Sequence, residues 1–150
     1  MQKKELYMLI KKQLEENVDH LISQIKSLKI SRDKDTKSSM GDKYETGRAM
    51  IQIEMDKMDK RLFDAQQMLY VFKNLNIDQK ESHIKPGSLI DTNYGMFFMS
   101  IGLGKINKIE KKEDVFALSP SSPLGRKFLT KKKGETFCFQ QRNYKIIDVI

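Results

Sequence analysis

The sequence predicts an α+β protein in which an N-terminal antiparallel helical coiled-coil hairpin precedes a C-terminal antiparallel β-sheet domain with one short helix. In the first half, apolar residues recur with the 3.5-residue period of a coiled coil. In the second half, short alternating runs are separated by turn residues, as is typical of strands. All three prolines and six of the eight glycines lie beyond Lys85. This shift predicts a coiled-coil hairpin at 1–76, a linker at 77–86 and a sheet domain at 87–150.

The two heptad runs can be aligned with each other. Their apolar positions are Tyr7, Ile10, Leu14, Val18, Leu21, Ile25 and Leu28 in the first run and Ile51, Met55, Met58, Leu62, Ala65, Leu69 and Phe72 in the second. If the helices pair antiparallel, the numbers of facing positions add to 79 or 80, which places the turn near residue 40 and the tip at 38–48. Each arm would reach roughly 45 Å. A self-association surface or half of a four-helix bundle is the alternative reading of this seam.

The second half predicts strands, turns and a short helix. The segment GSLIDTNYGMFFMSIGLG predicts two strands around Asn93-Tyr94-Gly95, and DVFALS predicts a third. ETFCFQQRNYKIIDVI predicts a hairpin that turns near Gln141-Arg142-Asn143. Between them, SPLGRKFLTKKKG predicts a helix with Ser122 as its cap and Pro123 in its first turn. The phenylalanines at strand spacing are predicted core residues, namely Phe97, Phe98, Phe116, Phe137 and Phe139.

Composition narrows the possible partners and locations. The chain has 28 basic and 20 acidic residues and a net charge of +8, which favours an anionic partner such as nucleic acid or a nucleic-acid machine. Cys138 is the only cysteine, so no internal disulfide can form and a reducing cytoplasm fits best. We find no apolar run long enough to cross a bilayer. These observations predict a cytoplasmic protein without a membrane partner.

Independent catalysis is not expected. Cys138, His20 and His83 include a nucleophile and possible bases, but their placement suggests no triad, and we expect no small-molecule substrate. The densest basic patch, Lys131-Lys132-Lys133 with Arg126 and Lys127, fits either an anionic contact or a solvated face.

The predicted tip contains the sequence GDKYET, in which Asp42 and Glu45 are three residues apart. That spacing fits a capping box at the start of a helix. It also fits a pair of carboxylates presented at the end of a long arm, and the two roles are compatible. Arg48 lies three residues after Glu45, where it can pair with that carboxylate. Tyr44 is an aromatic residue at an apex with no core to join, so we expect it to contact RNA, a protein partner or a neighbouring chain.

Two segments resemble the bacterial Gre transcript-cleavage factors, GreA and GreB. The run LSPSSPLGRKFLTKKKGETF is similar to the family's Ser-Pro segment, short helix and basic-x-x-Gly-acidic turn, and GDKYET resembles its Gly-Asp-x-x-Glu-Asn tip. Their order and spacing agree over nearly the whole chain. The resemblance implies a coiled coil that enters the secondary channel of RNA polymerase and an FKBP-like sheet domain that docks on the polymerase surface.

The resemblance also implies roles for individual residues. Asp42 and Glu45 would help to hold a second Mg²⁺, shared with the polymerase, during hydrolysis of backtracked RNA, and no tightly bound cofactor is expected. Gly41, Lys43, Tyr44 and Arg48 would be tip contacts, including possible contacts with nascent RNA. Docking would use Ser119, Pro120, Ser122, Pro123, Arg126 and Lys127.

One part of the tip departs from the family pattern. Thr46-Gly47-Arg48-Ala49 follows Glu45 where the family has Asn-Ala-Glu-Tyr, so a later acid and an aromatic are missing. Two alternatives therefore remain open: a Gre-like channel-binding regulator without cleavage activity, and a coiled-coil scaffold whose tip is only a cap.

Overall fold

The structure is a computed structural model that describes residues 3–35, 41–80, 82–106 and 114–150, and the side chains of residues 35 and 41–44 are not among the parts described. Three helices and six strands lie in these ranges, in the order α1 (Lys3–Asp35), α2 (Gly41–Lys73), β1 (Leu89–Thr92), β2 (Gly95–Met99), β3 (Gly104–Ile106), β4 (Val115–Leu118), α3 (Pro123–Phe128), β5 (Thr136–Phe139) and β6 (Arg142–Val149). This order confirms the predicted α+β arrangement. The first part of the predicted tip, residues 38–40, lies outside the described residues.

Contacts divide the chain into two compact units. The coiled-coil unit consists of residues 9–70. The sheet unit consists of residues 71–150 together with residues 1–8, so it includes the start of α1 and the end of α2. Among the helices of the described residues, none is both long enough and apolar enough to cross a membrane.

The coiled-coil unit is held by the seam that the heptad pattern predicts. Val18, Leu21 and Ala65 form a buried cluster, and Met58, Leu62 and Leu69 pack against it. Every predicted seam position between residues 10 and 69 is buried or half-buried. Arg32 of α1 donates to Gln52 of α2 at 3.0 Å, whereas Leu21, earlier in α1, shares the buried cluster with Ala65, later in α2. The two helices therefore pack antiparallel, as predicted.

The sheet unit contains one six-stranded sheet in the order β3-β4-β2-β1-β6-β5. Four of its neighbouring pairs are antiparallel, but β2 and β4 run parallel, with Met96 opposite Val115 and Met99 opposite Leu118. The sheet is therefore mixed rather than wholly antiparallel. The reason is β3, a three-residue strand in a Gly-rich segment that sequence analysis did not identify. It pairs antiparallel with β4 at the sheet edge.

The predicted turns are close to the observed ones. β1 and β2 turn at Asn93-Tyr94, where the Thr92 hydroxyl donates to the Gly95 carbonyl at 2.7 Å. β5 and β6 turn at Gln140-Gln141, one residue earlier than predicted, and both residues have positive φ, 48° and 65°. A two-residue turn with two positive φ values matches the twist of the flanking strands, although Asn and Gly are its usual occupants.

One core of the sheet unit lies between the sheet and α3. Its buried residues are Ile84, Ile90, Phe97, Met99, Leu118, Phe128, Tyr144 and Ile146. Phe128 of α3 meets the rings of Phe97 at 5.1 Å, Phe137 at 4.9 Å and Tyr144 at 5.9 Å, measured between ring centroids. These aromatic contacts fix α3 against the sheet.

Candidate functional site

The predicted tip residues lie in the first two turns of α2. The helix begins at Gly41, so Asp42 belongs to its first turn rather than preceding it. An acidic side chain in the first turn of a helix is stabilised by the positive end of the helix dipole. Asp42, Lys43 and Tyr44 lie within the helix, but their side chains are not among the parts described.

Glu45 and Arg48 are both exposed. Within the part of the chain that the structure describes, the Glu45 carboxylate has no ion-pair or hydrogen-bond partner. Its oxygens are therefore available to an external ligand. This availability matters because Glu45 is one of the two residues that the family resemblance assigns to metal binding.

Gly47 has no side chain to cover the backbone of α2 at its position. A Cβ atom built on Gly47 would meet nothing within 4 Å. Glycine inside a helix is less stable than alanine by roughly 0.5–1 kcal/mol because it loses more backbone freedom on folding. Packing within the described residues gives no reason for glycine here, and the missing side chain allows another molecule to approach the helix backbone closely.

The Ser-Pro segment before α3 is held by a network of serine hydroxyls. The Ser122 hydroxyl donates to the Ser119 carbonyl at 2.7 Å and accepts from the Gly125 amide at 3.0 Å, as an N-cap. The Ser119 and Ser121 hydroxyls lie 2.7 Å apart. A Cβ on Gly125 would lie 2.0 Å from the Ser119 carbonyl oxygen. The glycine of this motif is therefore required by the close approach of α3 to its own capping loop.

A cavity of about 450 Å³ opens beside this segment. Its apolar wall includes Phe116, Leu118, Pro123, Leu124 and Phe139. Three polar residues, Ser119, Ser122 and Gln140, complete its rim. Of the six predicted docking residues, Ser119, Ser122 and Pro123 line the cavity, whereas Pro120, Arg126 and Lys127 do not.

Two aromatic residues of this wall were predicted to be core residues. Phe116 is instead 43% exposed, so the core prediction is wrong for this residue. Phe139 is half-buried. The alternation of residues along a strand correctly predicts which side chains lie on the same face of the sheet. It does not predict that part of that face is exposed.

The basic residues near α3 differ in their surroundings. Arg126 and Lys127 occupy its last turn and are exposed. Further along, Lys133 forms an ion pair with Asp148 at 3.6 Å. Lys132 forms an isolated bridge with His83, and the carbonyl of Lys131, which is half-buried, accepts from the Ile84 amide. The lysine run is thus partly engaged in structure.

The three residues weighed for independent catalysis lie on separate elements. Cys138 is exposed on β5, His20 is exposed on α1, and His83 is half-buried in the segment before β1. Among the described residues, no group of three or more His, Cys, Asp or Glu side chains is arranged to hold a metal ion. The side chain of Asp42 is outside that set.

No protein-family model and no curated protein matches this chain.

Proposed function

We propose that this chain is a Gre-like accessory factor of RNA polymerase, which inserts its coiled-coil tip into the secondary channel and stimulates cleavage of backtracked RNA. One observation carries the proposal. Two 33-residue helices, α1 and α2, pack antiparallel through the predicted seam, and α2 begins with the Gly41-Asp42 pair. The second helix of this hairpin carries two acidic residues in its first two turns. Such a hairpin is well suited to deliver their carboxylates into a narrow channel.

The tip residues fit the chemistry of a shared Mg²⁺ ion. Magnesium in phosphoryl-transfer sites is usually held by one or two carboxylates together with waters and phosphate oxygens. Asp42 and Glu45 would supply these carboxylates, and the exposure of Glu45 supports the assignment. When bound beside the polymerase's own ion, Mg²⁺ supplies positive charge that favours ionisation of water and stabilises charge on phosphate.

The neighbouring residues suit contact with RNA or polymerase. Gly47 leaves the helix surface bare, and Arg48 adds a cation one turn after Glu45. A guanidinium group is well suited to pair with a phosphate. In this proposal Gly41, Lys43 and Tyr44 complete the tip surface, and catalysis belongs to the polymerase rather than to the factor alone.

The sheet unit, for which the family resemblance implies an FKBP-like domain, would anchor the factor. The cavity beside Ser119, Ser122 and Pro123 offers an apolar socket with hydroxyl groups at its rim. Arg126 and Lys127 follow on α3 and would attract an acidic surface. A protein partner that inserts an apolar side chain between acidic neighbours matches this combination.

The cleavage role is tested with stalled, backtracked elongation complexes of a bacterial polymerase. The wild-type protein should increase RNA cleavage, and the Asp42→Asn, Glu45→Gln double variant should lose that increase while still binding. Asp59→Asn is the matched control, because Asp59 is an exposed acid further along α2, and it should behave as wild type. No increase with the wild-type protein, or an undiminished increase with the double variant, would refute the cleavage role.

Binding to polymerase separates the two alternatives. A protein that binds polymerase without increasing cleavage is a channel-binding regulator, and one that does not bind is a scaffold. Phe116→Ser should weaken binding by opening the socket wall. Ile147→Ser is the matched control, since Ile147 is 46% exposed on the same unit and does not line the socket. Equal loss of binding in both variants would contradict the socket assignment.

A further inference from the structure

Strand β5 forms one edge of the six-stranded sheet. It pairs on one side with β6, where Phe139 lies opposite Arg142 and Thr136 lies opposite Lys145. Its other side faces away from the sheet. An edge strand presents backbone donors and acceptors to any further strand, and proteins commonly protect such edges with proline or charged residues. β5, with the sequence TFCF, has neither.

The ladder register shows which peptide groups point outward. The Ile146 amide donates to the Glu135 carbonyl at 3.0 Å, so residues 135 and 146 form a hydrogen-bonded pair. In an antiparallel ladder such pairs alternate with non-hydrogen-bonded pairs. Thr136 with Lys145 and Cys138 with Asn143 are therefore non-hydrogen-bonded pairs. The N–H and C=O groups of Thr136 and Cys138 point away from β6.

These outward groups have no other backbone partner in the described part of the chain. Every backbone hydrogen bond outside the helices and ladders there joins other residues. Thr136 and Cys138 are also exposed as side chains. In the described part of the chain, the outer edge of β5 therefore presents two backbone N–H donors and two C=O acceptors, from Thr136 and Cys138, that have no backbone partner.

We propose that this edge is a homodimer interface, in which β5 of a second copy adds antiparallel to β5 and joins the two sheets. A two-fold axis at Phe137 places Thr136 of each copy opposite Cys138 of the other. That register makes four backbone hydrogen bonds. An axis at Cys138 would bring Thr136 opposite Gln140, which has the positive φ of the turn, and would leave only two.

The side chains near β5 are compatible with this register. Phe137 is half-buried, stacks on Tyr144 with ring centroids 5.2 Å apart and meets Phe128 edge-on. A two-fold axis at Phe137 brings the two Phe137 side chains together in a non-hydrogen-bonded pair, where side chains approach most closely. Each aromatic cluster would thereby be extended by the other copy.

The charges near β5 also permit the pairing. In the facing stretch 135–139 the only charged residue is Glu135. Under this register Glu135 lies opposite Phe139 of the second copy, and the two lysine runs at 131–133 lie towards opposite ends of the shared ladder. Within residues 135–139, the stretch that forms the shared ladder, no like charges are brought face to face. The symmetric edge is thus complementary to itself, as a two-fold interface requires.

Sedimentation equilibrium of the full chain tests the dimer. Over roughly 1 to 100 µM, the range of weak association, the apparent mass should rise from that of a monomer towards that of a dimer. Cys138→Pro removes an outward N–H that β6 does not use, so proline should be tolerated there and the variant should stay monomeric. Cys138→Ser keeps the backbone and should dimerise as wild type does.

Cys138→Lys provides a second variant that alters no backbone group. It places a charge on the open edge and should also abolish dimerisation while the circular dichroism spectrum stays native. A wild-type protein that remains monomeric over the whole range would overturn the proposal. So would a Cys138→Lys protein that dimerises as wild type does.

Disulfide trapping tests the register. The wild-type protein is mixed with the Thr136→Cys, Cys138→Ser double variant and oxidised. Opposite residues of a hydrogen-bonded pair have Cα atoms about 5.5 Å apart, within disulfide range. The mixture should form covalent heterodimers. Wild type alone should form few, because its two Cys138 residues would lie diagonally, at roughly 7–8 Å or more. Equal crosslinking in the mixture and in wild type alone would refute this register.

Discussion

Tyr7 and Phe72 stack face to face, with ring centroids 4.8 Å apart and an angle of 11° between their planes. Phe72 is fully buried and also meets Phe98 of β2 edge-on at 6.2 Å. Tyr7 lies near the start of α1, and Phe72 lies in the last turn of α2. Through these two aromatic contacts, Phe72 joins both helix ends to the sheet.

Truncation of Phe72 should destabilise the protein strongly. Phe72→Ala should lower the free energy of unfolding by about 3–5 kcal/mol, because it removes a buried ring and leaves a cavity. Tyr7→Phe should have a small effect, since the Tyr7 hydroxyl is 3.5 Å from the Lys73 carbonyl oxygen and loses little when removed. Denaturant unfolding measures both. A Phe72→Ala protein within 1 kcal/mol of wild type would contradict the anchoring role.

Replacement of Gly47 should stabilise the protein. Gly47→Ala fills open space inside a helix and should raise the free energy of unfolding by roughly 0.5–1 kcal/mol. Gly134→Ala is the contrasting control, because Gly134 also has open space but has a φ of 88° and should lose stability on substitution. Thermal unfolding would distinguish the two. If the Gly47→Ala protein also loses cleavage stimulation, close approach at the tip is supported.

Substitution of Gly125 should disturb the Ser-Pro segment before α3. The Cβ of Gly125→Ala would collide with the Ser119 carbonyl, and relief of the collision should cost about 1–3 kcal/mol. Gly102→Ala is the matched control, since Gly102 lines the same cavity but a Cβ there meets nothing within 4 Å. Equal stability of the two variants would show that the capping loop adjusts at no cost.

Lys3 should make the protein's stability depend on alkaline pH. Burial lowers the pKa of Lys3 below its usual 10.5, while Asp78 raises it and Lys85 lowers it further. Its ammonium group donates to the Ile150 carbonyl at 3.1 Å. Because the folded state releases this proton at lower pH, the unfolded state binds more protons between the lowered pKa and 10.5. The contribution of Lys3 to stability therefore rises with pH across that window.

The comparison with Lys3→Met isolates this effect. The free energy of unfolding of the wild-type protein, minus that of the variant, should increase from neutral pH towards pH 10.5. Urea titrations at several pH values provide the measurement. A difference that stays constant or falls would contradict the role of burial.

The sequence predicts the helical part of the fold better than the sheet. The seam positions follow from a long periodic pattern, and the packing of Val18 and Leu21 with Ala65 confirms it. Strand pairing between distant segments leaves no local pattern. Neither the parallel alignment of β2 with β4 nor the three-residue β3 was therefore predicted.

The candidate site is also predictable from the sequence only in part. Asp42 and Glu45 could be assigned to the start of the second arm by comparing the two heptad runs, and Ser122 could be identified as a cap from its place before Pro123. The socket could not be predicted because Phe116 and Phe139 reach it from strands that are separated in sequence. The metal, RNA and polymerase assignments stay predictions.

The pairing of β1 with β6 has a consequence for synthesis on the ribosome. Ile90 lies opposite Val149, so the central strand β1 pairs with a strand that lies almost 60 residues later in the chain. Such non-local pairing slows folding, and incomplete sheets expose strands that aggregate. The two long helices leave the ribosome first and can pair while translation continues. The sheet can close only after β6 has emerged, so a ribosome that stalls before β6 is complete leaves one edge of β1 without its partner.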